Sequence, residues 1–317
     1  MAGAGLSAVE RTTATAASGV LQRLLAGGHV LCDGAMGTML HDRGISIDRC
    51  CDELNLSQPE TVAGVHAEYL RAGAEIIETN TFGANAFRLE RCGLREKVGE
   101  INLAGVRIAR ECVAEKLGAE VCVAGAIGPL GVRLERGEIG LDEARAAFAE
   151  QICALAEGGP SVGADLLFLE TMTSLAEAGE AIRAAQEVAP GLRLVVMMTI
   201  GKDGKCLDGA SAEMAAARLT ELGADAVGCN CSYGPASVLR ALVRMRGATR
   251  LPLAAMPNAG LPRTVEGRNV YAVSPDEMAD FAPRFVRAGA GLVGGCCGTT
   301  PEHTRAMRLS LRALEGG

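Results

Sequence analysis

Eight short apolar runs recur along this chain, and most are followed by a longer, Ala-rich segment carrying charges at helical spacing. The runs are VLCDGA (30–35), IIETNTF (76–82), VCVAGAIG (121–128), DLLFLET (165–171), LVVMMTI (194–200), DAVGCNC (225–231), PLAAMPN (252–258) and GLVGGCC (291–297). Their hydrophobicity is nearly continuous rather than alternating, as expected of parallel strands covered on both faces. PETVAGVHAEYLRAG, LDEARAAFAEQICALAEG and AEMAAARLTELG read as the intervening helices. Several junctions repeat, as RAGAEII, LGADAV and RAGAGLV, where glycine fits a helix C-cap just before the next strand. Eight strand-then-helix units predict an α/β chain folded as a (β/α)8 TIM barrel, one domain over 19–317. A doubly wound open sheet is the alternative, but it calls for fewer strands or a glycine fingerprint at a switch point.

Residues 1–18 are Ala/Ser/Thr-rich and are expected to form a mobile tail; a weak organelle-targeting reading stays open beside that. Hydrophobic residues make up 49% of the chain, enough for a sizeable core. A net charge of −7 argues against nucleic acid or an anionic membrane as partner. No apolar run reaches the ~18 residues of a membrane span. The 12 cysteines lack the spacing of a secreted disulfide scaffold. Cys32, Cys122, Cys153 and Cys229 sit in apolar stretches and are expected to be small buried hydrophobes in a reducing, cytoplasmic setting.

Polar residues gather at the ends of the strand candidates: Asp33, Glu78 and Asn80, Glu170, Asn230 and Cys231, Asn258, Cys296 and Cys297. In a barrel that end carries the active site. Long segments follow there too, at 36–58 and 259–273.

The vicinal pair Cys296–Cys297 is the sharpest of these features. From spacing alone, packing is the better reading for any one of the cysteines, since Cys231 lies too far upstream for a zinc-finger knuckle. The barrel changes that weighting, because the ends of strands six and eight can face each other across the mouth. Gly294, Gly295 and Gly298 would let the backbone aim two consecutive thiols at one point. Three thiolates leave a tetrahedral zinc one open position, the catalytic arrangement. A substrate thiol binding there would lose its proton and remain nucleophilic, which suits thiol alkylation. Cys50–Cys51 has no such glycine frame and is read as packing or surface. Cys229 shares a face with Cys231 by strand periodicity and is expected one layer deeper, not as a ligand.

The ordered set LCDGAMGTML, ETNTFGAN, AIGPLG, LET, GCNCSYGP, PNAG and GGCCGTTPEH resembles the homocysteine S-methyltransferases over roughly residues 20–310. The likeness is nearest to the homocysteine-binding barrel of cobalamin-dependent methionine synthases. It implies Cys231, Cys296 and Cys297 as zinc ligands, with the homocysteine sulfur as the fourth. It further implies Glu170 and Asp33 on the substrate amino group, and the amides of Gly34 and Ala35 on its carboxylate. A helix cap or an ion pair is the bland alternative for either acid. Asn258 resembles the residue that occupies zinc when substrate is absent, and an ordinary turn role fits it nearly as well. Thr300-Pro301-Glu302 reads as a helix N-cap followed by Pro at N1. His29, His41, His66 and His303 have no ligand-like spacing.

The resemblance leaves the methyl donor open. Methylcobalamin or methyltetrahydrofolate, carried by a separate corrinoid or folate-binding module, is the first expectation. S-methylmethionine is the second. Betaine is disfavoured, because an aromatic cage is hard to build from no Trp, 3 Tyr and 6 Phe. A non-catalytic zinc-binding subunit of a methyl-transfer complex, or a methyltransferase for another thiol or selenol, are the readings of other kinds.

Overall fold

A computed structural model of the chain describes residues 19–46, 48–116, 120–159, 162–265 and 268–315; the expected tail over 1–18 lies outside them. The eight barrel strands are β1 (Val30–Leu31), β2 (Ile76–Glu78), β3 (Cys122–Ile127), β4 (Leu166–Met172), β5 (Arg193–Met198), β6 (Ala226–Cys231), β7 (Leu253–Pro257) and β8 (Ala290–Val293). All paired neighbours run parallel, from β2 round through β7 and β8 to β1. The ring closes where Cys32 bridges Ile76 and the Asp33 amide donates to the Ile76 carbonyl over 3.0 Å. The (β/α)8 reading therefore holds and the open sheet does not.

The outer layer consists of α1 (Pro59–Ala72), α2 (Val98–Glu115), α3 (Leu141–Ala156), α4 (Leu175–Val188), α5 (Ala212–Glu221), α6 (Pro235–Arg246), α7 (Pro275–Arg287) and α8 (Pro301–Glu315). Gly73, Gly223 and Gly289, the glycines of the repeated junctions, take φ of 102°, 94° and 98°. That left-handed backbone stops a helix and turns the chain into the next strand at little steric cost.

The core has two shells. Inside the ring, Phe168, Met197, Met256 and Leu292 pack with Cys32 and Cys122, and Val20 and Leu24 join that cluster from the helical residues 19–25. Outside it, Leu167, Leu169, Val196, Val227, Leu253 and Val293 pack against the helices. An acid placed just before a strand stitches the lower rim. Glu75 accepts from Leu31 N (3.1 Å), Asp165 from Val123 N (2.8 Å) and Asp225 from Leu194 N (2.9 Å). Each acid also pairs with an arginine, Arg308, Arg110 and Arg193 respectively. These charges at the base serve stability and leave the other rim for chemistry.

Several expectations need correction. The eighth strand ends at Val293, so Cys296 and Cys297 sit in the loop beyond it rather than at its last residues. Cys229 packs in the outer shell beneath the helices, not deeper in the barrel interior. Cys153 is exposed rather than buried, because it lies on the solvent face of α3. Among the described residues, no helix is long and apolar enough to cross a membrane.

Candidate metal centre and substrate cavity

The upper rim of the barrel encloses a cavity of about 310 Å³. Its wall includes Asp33, Gly34, Ala35, Glu78, Glu170 and all three rim cysteines. Sequence periodicity alone would not bring the cysteines together. Cys231 ends β6 with φ of 55°, and Ser232 follows at 63°, a left-handed pair that non-glycine residues seldom adopt. This turn breaks the alternation that would aim Cys231 outward with Cys229, and brings it to the cavity.

The opposing pair is held by the loop after β8. Cys296 N donates to Pro257 O (2.8 Å) and Thr299 Oγ1 to Cys296 O (2.7 Å). The loop is tight for different reasons at its three glycines. Gly298 has φ of 80°, and a Cβ there would lie 2.1 Å from the Tyr271 ring. At Gly294 and Gly295 a Cβ would meet Cys32 at 2.8 Å and Thr299 at 2.4 Å, so close approach, not left-handed backbone, is what excludes a side chain. The cysteines thus converge over the end of β7, which separates β6 from β8, rather than across the full mouth.

Cys296 and Cys297 hold their sulfurs 4.0 Å apart, and all three sulfurs lie within 4.8 Å of one another. Thiolates on a tetrahedral zinc at ~2.3 Å would sit roughly 3.8 Å apart, so the donor set fits that ion with only a small contraction. The electrostatics agree. Hydrogen bonds from Cys296 and Cys297 pull the Cys231 thiol down to about 3. The same bonds hold Cys296 well above its ordinary value and push Cys297 up to about 12. Three sulfurs share one negative charge, and a divalent cation would let all three ionise.

Asn258 belongs to this cluster without lining the cavity. Its Nδ2 donates to Ser232 O (3.0 Å), its side chain also interacts with Cys231, and its Oδ1 is buried with no hydrogen-bond partner among the described residues. Tyr271, from the long segment after β7, lies near the same sulfurs, and burial pushes its hydroxyl up to about 12. Nothing in the local sequence marks Tyr271 for that position.

The acids occupy the neighbouring wall. Asp33 is 2% exposed; its Oδ2 accepts from Glu78 N (2.9 Å), and its Oδ1 is buried without a partner among the described residues. Glu170 is braced by Asn230, whose Nδ2 donates to Glu170 Oε2 (2.9 Å). Burial raises Glu170 to about 7. Glu78 completes the group: it lines the cavity, and its carboxyl group interacts with that of Glu170. Its strand-end position is visible in the sequence, but the contact spans three strands and is not. Of the two amides expected for a carboxylate, Ala35 N already donates to Thr299 Oγ1 (3.1 Å). Gly34 N is without a partner among the described residues, and its missing Cβ makes room for Thr299 Oγ1 at 2.5 Å.

The remaining residues are structural in their contacts. Thr300 bonds Glu302 and His303 through its side chain, and Thr300 N donates to His303 Nδ1 (3.1 Å). The expected cap is therefore built through those side chains, with Pro301 opening α8. His303 Nε2 meets Val273 O (3.0 Å), tying the segment after β7 to that helix.

Comparison with known proteins places this geometry in a lineage. The family model described as homocysteine S-methyltransferase matches residues 30–311. The chain belongs to the homocysteine S-methyltransferase family. Proteins named methionine synthase from Mycobacterium leprae and Mycobacterium tuberculosis are each 33% identical to it, over 93% of this chain and 25% of theirs. This family member thus spans about a quarter of the length of those relatives. The metallated form of the homocysteine methyltransferase MmuM from Escherichia coli superposes with a TM-score of 0.75 at 28% identity, covering 89% of this chain and 96% of that one. The oxidized form of the same enzyme gives 0.78, covering 92% and 99%. A methyltransferase from Methanosarcina mazei, at 13% identity and a TM-score of 0.58, shares the fold alone.

Proposed function

We propose that this chain methylates the sulfur of homocysteine to give methionine, with Cys231, Cys296 and Cys297 holding one zinc ion. The observation that carries the reading is the junction of three convergent sulfurs with a cavity whose lining, among the described residues, holds acids and no lysine, arginine or histidine. Bound there, zinc would lower the proton affinity of a coordinating thiol and so supply a thiolate nucleophile near neutral pH.

The protein's own groups do the rest. Asp33 Oδ1 and Glu170 accept from the substrate ammonium, for which charge-assisted bonds to carboxylates are the natural partners. The Gly34 amide donates to the substrate carboxylate. Asn230 keeps Glu170 oriented. The unpartnered Oδ1 of Asn258 is available to the metal before substrate arrives.

The donor in this reading is methylcobalamin or methyltetrahydrofolate on a separate corrinoid or folate-binding module. The length of the methionine synthases beyond the matched quarter supports it. S-methylmethionine is the second reading. In its favour is the likeness to a solved homocysteine methyltransferase chain that this barrel covers almost end to end. All 12 cysteines are free thiols, which supports a reducing cytoplasmic setting.

The test is zinc content per chain followed by methionine formation from homocysteine. Methylcobalamin, methyltetrahydrofolate, S-methylmethionine and betaine are assayed in parallel, with and without an added corrinoid protein. The reading predicts about one zinc per chain and methionine from one of the first three donors. Zinc bound with methionine from none of them would leave the non-catalytic subunit standing instead.

A further inference from the structure

Three carboxyl groups share one wall of the cavity, yet an amino-acid thiol brings a single ammonium. Asp33, Glu78 and Glu170 all line it; the fourth acid there, Asp52, is occupied by Gly83 N over 2.8 Å. Among the described residues, no cationic side chain lines the cavity. Ionising all three would leave an excess of buried negative charge that one ammonium cannot balance. The contacts show how the excess is resolved. Glu78 and Glu170 line the same wall and their carboxyl groups interact with each other, a pairing that favours a proton between them. Meanwhile Asn230 donates to Glu170 Oε2, and Glu78 N holds Asp33 Oδ2.

The backbone and side chain of Glu78 therefore each fix a different acid. We propose that Glu78 is a positioning and specificity-determining residue, a neutral carboxylic acid that donates to Glu170 while its amide holds Asp33, so that both acids aim at one amino group. It thereby selects α-amino thiols over thiols of the same length that lack the amine. This role rests on the homocysteine reading above. Burial and the neighbouring acids Glu170 and Asp33 hold Glu78 well above the usual carboxylate range, in keeping with a donor role.

The test uses the zinc-loaded full chain and its Glu78→Gln and Glu78→Ala variants. Binding of L-homocysteine and of 4-mercaptobutanoic acid, which lacks the amine, is measured by calorimetry, with zinc content as the control. Gln retains an N–H donor, so Glu78→Gln should bind homocysteine within about threefold of the parent. Glu78→Ala should lose about tenfold, the worth of one buried hydrogen bond, while 4-mercaptobutanoic acid binds as before. Equal weakening of both thiols, no change in Glu78→Ala, or a Gln variant as weak as Ala would overturn the role. A parent that retains zinc but binds neither thiol would overturn the homocysteine reading and this role with it; that result differs from each of the others.

Discussion

Asn230 Nδ2 donates to Glu170 Oε2 over 2.9 Å, and Asn230 is the residue immediately before Cys231. One strand end therefore carries both a sulfur of the candidate metal centre and the brace of the acid proposed to hold the substrate amine. Asn230 is fully buried, and its Oδ1 also accepts from Thr171 N (2.8 Å). Thr171 itself sits at φ of 57°, so the amide stabilises a strained turn at the end of β4.

Replacing this residue should expose both roles. Asn230→Ala leaves the Thr171 amide and a Glu170 oxygen without partners, at a cost of about 2 kcal/mol in stability. Homocysteine affinity should fall by about tenfold for the same reason. Asn230→Asp retains the acceptor for Thr171 but sets a carboxylate against Glu170, so it should retain more stability than Ala at low pH and less at high pH. Urea unfolding at two pH values checks this, and equal stabilities for all three proteins would contradict it.

The loop that presents Cys296 and Cys297 turns on Gly298. An alanine there must adopt φ near 80° and drive its Cβ into Tyr271. Gly298→Ala should cost ~3 kcal/mol and release zinc at lower chelator concentrations. A control change at Gly137, also left-handed but with nothing within 4 Å of its Cβ position, should cost less and leave zinc retention unchanged. Chelator titration of both variants separates backbone strain from the specific clash.

His66 predicts an acid sensitivity of the fold itself. It is fully buried in α1, neither ring nitrogen has a partner among the described residues, and desolvation lowers it to about 4. The unfolded chain protonates this ring below about 6.5 and the folded one only near 4, so the unfolded state binds more protons in between. Stability is therefore lost as pH falls through that window, by about 3 kcal/mol for this residue. His66→Leu should remove that slope. Parallel slopes for the two proteins between pH 6.5 and 4 would contradict the assignment.

Much of this was legible before the fold was seen. Continuous apolar runs and repeated glycine junctions specified the barrel because strand burial and left-handed caps are local demands. The three cysteines could be grouped because a barrel orders strand ends round a rim. What escaped depended on contacts distant in sequence or on broken periodicity. Cys231 reaches the cavity while Cys229 faces the helices because the left-handed turn at Cys231 ends the alternation that linked the two. The Ala35 amide is taken by Thr299, 264 positions on, which no local pattern discloses. Glu78 was one of several polar strand ends until its carboxyl met Glu170. Cys153 lay in an apolar stretch yet on the outer face of its helix, where composition misleads.

The central claim is that three protein sulfurs bind one metal and that the substrate provides a fourth. Zinc-edge X-ray absorption on the loaded protein, without and then with homocysteine, counts those sulfurs directly. The expected count is about three sulfurs and one lighter ligand before addition, and about four sulfurs after it. A count that stays at three, or that starts at four, would contradict it.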